Sequence, residues 1–133
     1  MNDTANADFS KSTVLLVDDI PVNIILLQTM LSRLDVNIVT ANNGQAALDA
    51  IDKHNPQLVL LDIQMPVMDG FETLRRIKSD PKTQNIHVVM VSAFTAPDEI
   101  QKAMELGASG YISKPILMDE LLNCVTKELK KAD

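Results

Sequence analysis

From Thr13 onward, short apolar runs alternate five times with longer segments whose apolar residues recur every three or four positions. The short runs, at 13–17, 37–40, 57–61, 86–91 and 110–112, are the strand candidates. Three of them are continuously apolar: Val14-Leu15-Leu16-Val17, Leu58-Val59-Leu60-Leu61 and Val88-Val89-Met90-Val91. A half-exposed strand would alternate apolar with polar residues. An unbroken run instead suits a strand of a parallel sheet covered by helices on both faces.

The intervening segments carry helix signals. After Pro21, a buried stripe is formed by Ile24, Leu27, Leu31 and Leu34. Asn42 or Asn43 is placed to cap a second helix holding Ala46, Ala47, Ala50 and Ile51. Asp69-Gly70 opens a third with Phe71, Leu74 and Ile77, and Asp80-Pro81 stops it. Thr95 and Asp98 resemble a capping box, Pro97 falls in the first turn of the fourth helix, and Gly107 ends it. The fifth uses Met118, Leu121, Leu122, Val125 and Leu129. The pattern predicts an α/β fold, (βα)5, with one doubly wound domain over residues 13–133 and a flexible N-terminal tail at 1–12.

Composition narrows the function classes. Hydrophobic residues make up 46% of the 133, enough for a real core. A net charge of −6 and a pI near 4.8 argue against direct nucleic-acid binding, which needs clustered Lys and Arg. Cys124 is the only cysteine, so no disulfide can form within the chain. No signal-peptide pattern and no apolar run of membrane-spanning length occurs, so a cytoplasmic location is expected. His54 and His87 lack a Cys or His partner in sequence and read as surface or loop residues.

Ligands of open parallel sheets bind beyond the carboxyl ends of the strands. There the first strand candidate runs into Asp18-Asp19, the third into Asp62, the fourth into Ser92 and the fifth into Lys114-Pro115. Loop polarity and helix capping explain any one of these. Together they bring three carboxylates, a hydroxyl and an ammonium to one edge. Two carboxylates about 4 Å apart repel by about 4 kcal/mol at an effective dielectric of about 20, so the cluster needs a proton, a cation or a metal. Lys114 offsets one charge, and a hard divalent ion such as Mg2+ suits the oxygen donors. An Asp carboxylate can attack phosphorus to give an aspartyl phosphate, with metal and lysine neutralising the phosphoryl oxygens. The chain has neither GxxxxGK nor GxGxxG.

Four stretches, Val14 to Asp19, Leu61-Asp62-Ile63-Gln64-Met65-Pro66-Val67-Met68-Asp69-Gly70, Val91-Ser92-Ala93 and Tyr111-Ile112-Ser113-Lys114-Pro115, resemble the receiver domains of two-component response regulators, single-domain and chemotaxis-regulator-like. The resemblance covers roughly residues 13–131. It implies a flavodoxin-like sheet of order 2-1-3-4-5, with Asp62 as phosphoacceptor. Asp19 would hold Mg2+ (or Mn2+) directly and Asp18 through water, with Asp62 and the main-chain carbonyl of Gln64 completing the protein ligands. Ser92 and Lys114 would bind phosphoryl oxygens, Tyr111 would respond to Ser92, and Lys114-Pro115 would be cis. Two departures stand out: Ser92 where many members have Thr, and His87 where proline is frequent.

The implied protein is no enzyme beyond its own phosphorylation and dephosphorylation. Its partners would be a sensor histidine kinase or histidine phosphotransfer protein and an unknown downstream target. Phosphorylation would draw Ser92 toward Asp62, let Tyr111 turn inward and reshape the helix 4, strand 5, helix 5 surface. Phe94, two residues beyond Ser92, is placed to shield the acyl phosphate. Val22, Ile25 and Leu26 fall off the core line of helix 1, as a docking surface for the donor would. A small aspartate-dependent phosphatase is the alternative, but such enzymes place a second Asp two residues after the nucleophile, where this chain has Gln64. A flavodoxin-like cofactor binder would need a Ser/Thr/Gly-rich loop in place of Asp18-Asp19-Ile20-Pro21. A stand-alone regulator and the receiver of a longer protein fit equally, as do a monomer and a weak phosphorylation-linked dimer.

Overall fold

The computed structural model describes residues 9–93 and 96–132. Five strands, β1 (Thr13–Val17), β2 (Asn37–Ala41), β3 (Leu58–Asp62), β4 (His87–Ser92) and β5 (Gly110–Ser113), pair in parallel in the order β2-β1-β3-β4-β5. Five helices alternate with them: α1 (Pro21–Leu31), α2 (Gly44–His54), α3 (Gly70–Ser79), α4 (Pro97–Glu105) and α5 (Met118–Ala132). The predicted (βα)5 architecture and flavodoxin-like strand order are what the structure contains.

Strand periodicity sorts the apolar runs between two cores. Leu15, Val17, Val59, Leu61, Val88 and Met90 face α2 and α3, packing on Ala47, Ile51, Leu74 and Ile77. Val14, Leu16, Leu58, Leu60, Val89 and Val91 face α1 and α5, packing on Leu27, Leu31, Leu121 and Val125. Both faces of the central strands are thus covered, which is why these segments tolerate no polar residue until their carboxyl ends.

Local chemistry sets the helix ends. Of the two candidate caps, Asn43 accepts the Ala46 N–H at 2.7 Å, while Asn42 accepts from the Asn43 side chain. Asp69 caps α3 through the Glu72 N–H at 2.9 Å, as expected. Gly107 follows α4 with φ +104, a conformation glycine adopts without strain. Pro97 is the first residue of α4 and Ala96 its N-cap; the expected Thr95 cap lies outside the described residues, as does Phe94.

Several sequence expectations need correction. α1 stops at Leu31, so Leu34 reaches the core from a turn, its N–H donating to the Leu31 carbonyl at 2.9 Å. Thr29 and Ser32 hydroxyls bond the Ile25 and Thr29 carbonyls here, an alternative to continuing the helix. Phe9, assigned to the flexible tail, is buried with Leu27, Leu31, Val125 and Leu129. The carbonyl of its neighbour Ser10 accepts from the Asn37 side chain at 2.9 Å. His87 is not a loop or free surface residue: it opens β4, and its Nδ1 lies 2.9 Å from Oε1 of Glu128, a carboxylate 2% exposed on α5. Cys124 is half-buried, and that burial pushes its thiol up to about 11.

Candidate functional site

The parallel register brings the strand ends together. Asp62 is the last residue of β3, paired opposite Val91, and Ser92 ends β4 beside Ser113 of β5. Asp18 and Asp19 follow β1, with the Asp18 N–H donating to the Ala41 carbonyl at 3.2 Å. Lys114 follows β5, and its N–H donates to the Ser92 carbonyl at 2.8 Å. The Lys114–Pro115 peptide is cis.

The side chains of Asp18, Asp19, Asp62 and Lys114 converge. Lys114 Nζ lies 3.3 Å from Asp62 Oδ1 and 3.4 Å from Asp18 Oδ2. One oxygen from each of Asp18, Asp19 and Asp62 falls within 4.8 Å of the others. Asp18, Asp62 and Ser92 are buried, and Asp19 is half-buried. Burial, reinforced by the Asp18 charge and only partly offset by Lys114, pushes the Asp62 carboxyl up to about 6.

The two members of the acidic pair differ. Asp18 Oδ1 accepts the Ile20 N–H at 2.9 Å, and Oδ2 accepts from the Asn23 amide at 3.1 Å in addition to Lys114. Among the described residues, no hydrogen bond or ion pair engages the Asp19 carboxylate. Three anionic oxygen donors against one ammonium match what a hard divalent cation requires, so the residues present fit Mg2+.

The loop between β3 and α3 closes one side. The Gly70 N–H donates to the Ile63 carbonyl at 2.8 Å, folding the loop back on the strand end. A Cβ on Gly70 would collide with the Asp62 carbonyl oxygen, so only glycine permits this approach. Val67 sits at the loop tip, 94% exposed, with φ +71, a strained value for a β-branched residue. Gln64 is exposed and lines a 660 Å3 cavity with Asp19, Phe71, Glu99 and Lys102. Tyr111 is half-buried on β5 opposite Met90.

Sequence reasoning missed Asn23 and Lys102. Asn23 shows only as an amide one turn into α1, a weak signal that its bond to Asp18 makes meaningful. Lys102 has its ammonium 4.3 Å from the centre of the Phe71 ring, which no spacing discloses.

The family model for the response regulator receiver domain matches residues 14–126. The chain belongs to the response regulator receiver family. It is 40% identical over 116 residues to sporulation initiation phosphotransferase F of Bacillus subtilis, covering 87% of this chain and 92% of that protein. It is 37% identical over 123 residues to a probable cyclic di-GMP phosphodiesterase of Vibrio cholerae, covering 92% of this chain but only 28% of that longer protein. The CheX-CheY-BeF3-Mg2+ complex of Borrelia burgdorferi contains a chain that superposes with a TM-score of 0.82 at 31% identity, over 87% of each chain. The matched segment is a receiver domain, the phosphoacceptor module of two-component signalling, and the phosphatase alternative is not favoured. Among the described residues, no helix is long and apolar enough to cross a membrane.

Proposed function

We propose that Asp62 accepts a phosphoryl group from a histidine-phosphorylated donor. The observation that carries this reading is the placement of Lys114 Nζ within 3.4 Å of both Asp18 and Asp62, beside a third carboxylate. An Asp62 oxygen forms the new bond to phosphorus while the bond to the donor nitrogen breaks, leaving an acyl phosphate on Asp62. Lys114 holds positive charge next to the oxygens of the transferred group, and the Ser92 hydroxyl donates a hydrogen bond to one of them. Asp19, Asp62 and the Gln64 carbonyl would hold Mg2+ (Mn2+ is the other candidate). Asp18, whose oxygens already accept from Ile20, Asn23 and Lys114, would reach it through water. The bound ion supplies positive charge shared between the carboxylates and the phosphoryl oxygens. The same site catalyses hydrolysis of its own acyl phosphate.

Phosphorylation adds roughly −1.5 to −2 charges by analogy with other phosphorylated side chains, enough to bias a two-state element. Ser92 then moves toward Asp62 and Tyr111 turns inward, changing the α4, β5, α5 surface read by a downstream protein. In the Borrelia complex a related fold is held with BeF3 and Mg2+, which supports an anion and a divalent ion occupying this kind of site. Intact mass after incubation with acetyl phosphate tests the reading. Wild type with Mg2+ gains one phosphoryl group, and Asp62→Ala or metal-free protein gains none. In the same sample, the Tyr111 ring resonances shift. A gain that survives in Asp62→Ala places the acceptor elsewhere; an unmoved Tyr111 removes the switch.

The donor is a sensor histidine kinase or a histidine phosphotransfer protein, in the cytoplasm. Its docking surface is the first half of α1 with the residue before it, where Ile20, Val22, Ile25 and Leu26 are exposed beside the site. Such apolar exposure suits a helical partner. Ile25→Asp is expected to slow transfer from the cognate phosphohistidine donor at least about tenfold, the loss of one central interface contact. Phosphorylation by acetyl phosphate stays at the wild-type rate. Equal loss with both donors means misfolding instead.

A further inference from the structure

Beyond the reacting carboxylate itself, we propose that Lys102 is a positioning residue that selects small phosphodonors with anionic leaving groups, the acyl phosphates. This inference rests on Asp62 being the phosphoacceptor. The 660 Å3 cavity beside the acidic site shares Asp19 and Gln64 with it, and its α4 wall carries Lys102 and Glu99. Among the described residues its lining includes Asp19 but not Asp62, so a phosphoryl group bonded to Asp62 stands beside this cavity and the space falls to whatever is attached to that group. Displacement on phosphorus is in line: as the Asp62 oxygen bonds to phosphorus, the opposite bond breaks and its electron pair leaves with the donor's other half. For an acyl phosphate that half is a carboxylate. It departs with a full negative charge into a cavity already lined by Asp19, Asp69 and Glu99.

Among the described residues, Lys102 is the one cation lining that cavity. Its ammonium is held 4.3 Å from the centre of the buried Phe71 ring rather than swinging free. A charge so anchored offsets the repulsion that the three carboxylates impose on an incoming anion and on the departing carboxylate. Glu99, three residues earlier on the same helix, opposes it. The two residues therefore set the electrostatic preference of the mouth in opposite directions. A donor whose leaving group departs neutral is far less sensitive to either.

The test compares acetyl phosphate, which releases acetate, with phosphoramidate, which releases ammonia, by the time course of intact mass in Mg2+. In Lys102→Gln the ratio of acetyl phosphate to phosphoramidate rates falls about three- to fivefold, as expected for one screened unit charge near the cavity. In Glu99→Gln the ratio rises, in Lys102→Arg it holds, and 0.5 M salt shrinks both changes. A purely structural role for Lys102 over Phe71 would change both rates by one factor, and that result overturns the proposal. So does an unchanged ratio in Lys102→Gln. Wild type that accepts phosphate from neither donor defeats the phosphoacceptor reading itself and takes this inference with it.

Discussion

Asp62→Asn is expected to stabilise the metal-free protein by about 3 kcal/mol at pH 7.5, the order of magnitude for a carboxyl raised from 3.8 to about 6. Burial and the Asp18 charge disfavour the ionised form of Asp62 in the folded state, and Lys114 compensates only in part. Between those two pKa values the folded protein binds more protons than the unfolded chain, so its stability falls as pH rises through that window. Above about 6 the whole penalty is present; below 3.8 both states hold a protonated Asp62 and it disappears. The amide removes the penalty, so the gain of Asp62→Asn is largest at neutral pH and shrinks toward pH 4. Mg2+ acts with the same sign on the wild type, because a cation relieves the same repulsion. Urea unfolding of both proteins in EDTA, at pH 7.5 and pH 4.5, reads the difference. A variant less stable than wild type at pH 7.5, or a gain independent of pH, would show that Asp62 is not held against its charge. Under the proposed function, an acidic site that weakens the fold in this way is a stability cost located at the functional centre.

The second large effect lies at the opposite end of β4. Replacing His87 with alanine should cost about 2–3 kcal/mol, because Glu128 is then left as a buried carboxylate without its main partner. Lys131, exposed and 3.8 Å from the other Glu128 oxygen, recovers only part of the loss. Pairing His87→Val with Glu128→Leu should restore most of the stability, since two apolar groups of similar volume need no hydrogen bond. The double-mutant cycle by urea unfolding checks this, and additive single losses would mean the two side chains do not interact. Phosphorylation at Asp62 should proceed in each of these variants, because the pair sits away from the carboxyl ends of the strands.

How much of this was legible beforehand depends on the range of the interaction. The apolar runs at Val14, Leu58 and Val88 identify covered parallel strands, because a strand buried on both faces cannot carry a polar residue without a partner. Once the sheet is parallel, Asp18, Asp19, Asp62, Ser92 and Lys114 must share an edge, since each follows the carboxyl end of its strand. That is why a one-dimensional reading could name them. Helix signals were equally local: Asn43 and Asp69 cap through backbone N–H groups only three residues away.

The remaining features depend on which elements pack together. Glu128 lies seven residues after Leu121, on the helical face that α5 turns to the sheet, so its charge hid a core position from a hydrophobic pattern. Its partner His87 is 41 residues distant, and neither residue carries a mark of the other. Phe9 looked like part of a polar tail until α1 and α5 supplied the apolar walls that bury it. Asn23 became a site residue through the turn that brings α1 over Asp18, and Lys102 through the packing of α4 beside Phe71. Sequence by itself determined the covered sheet and the chemistry at its edge, because hydrophobic period and strand direction act within a few residues. Tertiary structure alone decided the charge partners and the enclosed aromatic, because burial and pairing across the sheet are properties of neighbours that the chain order does not record.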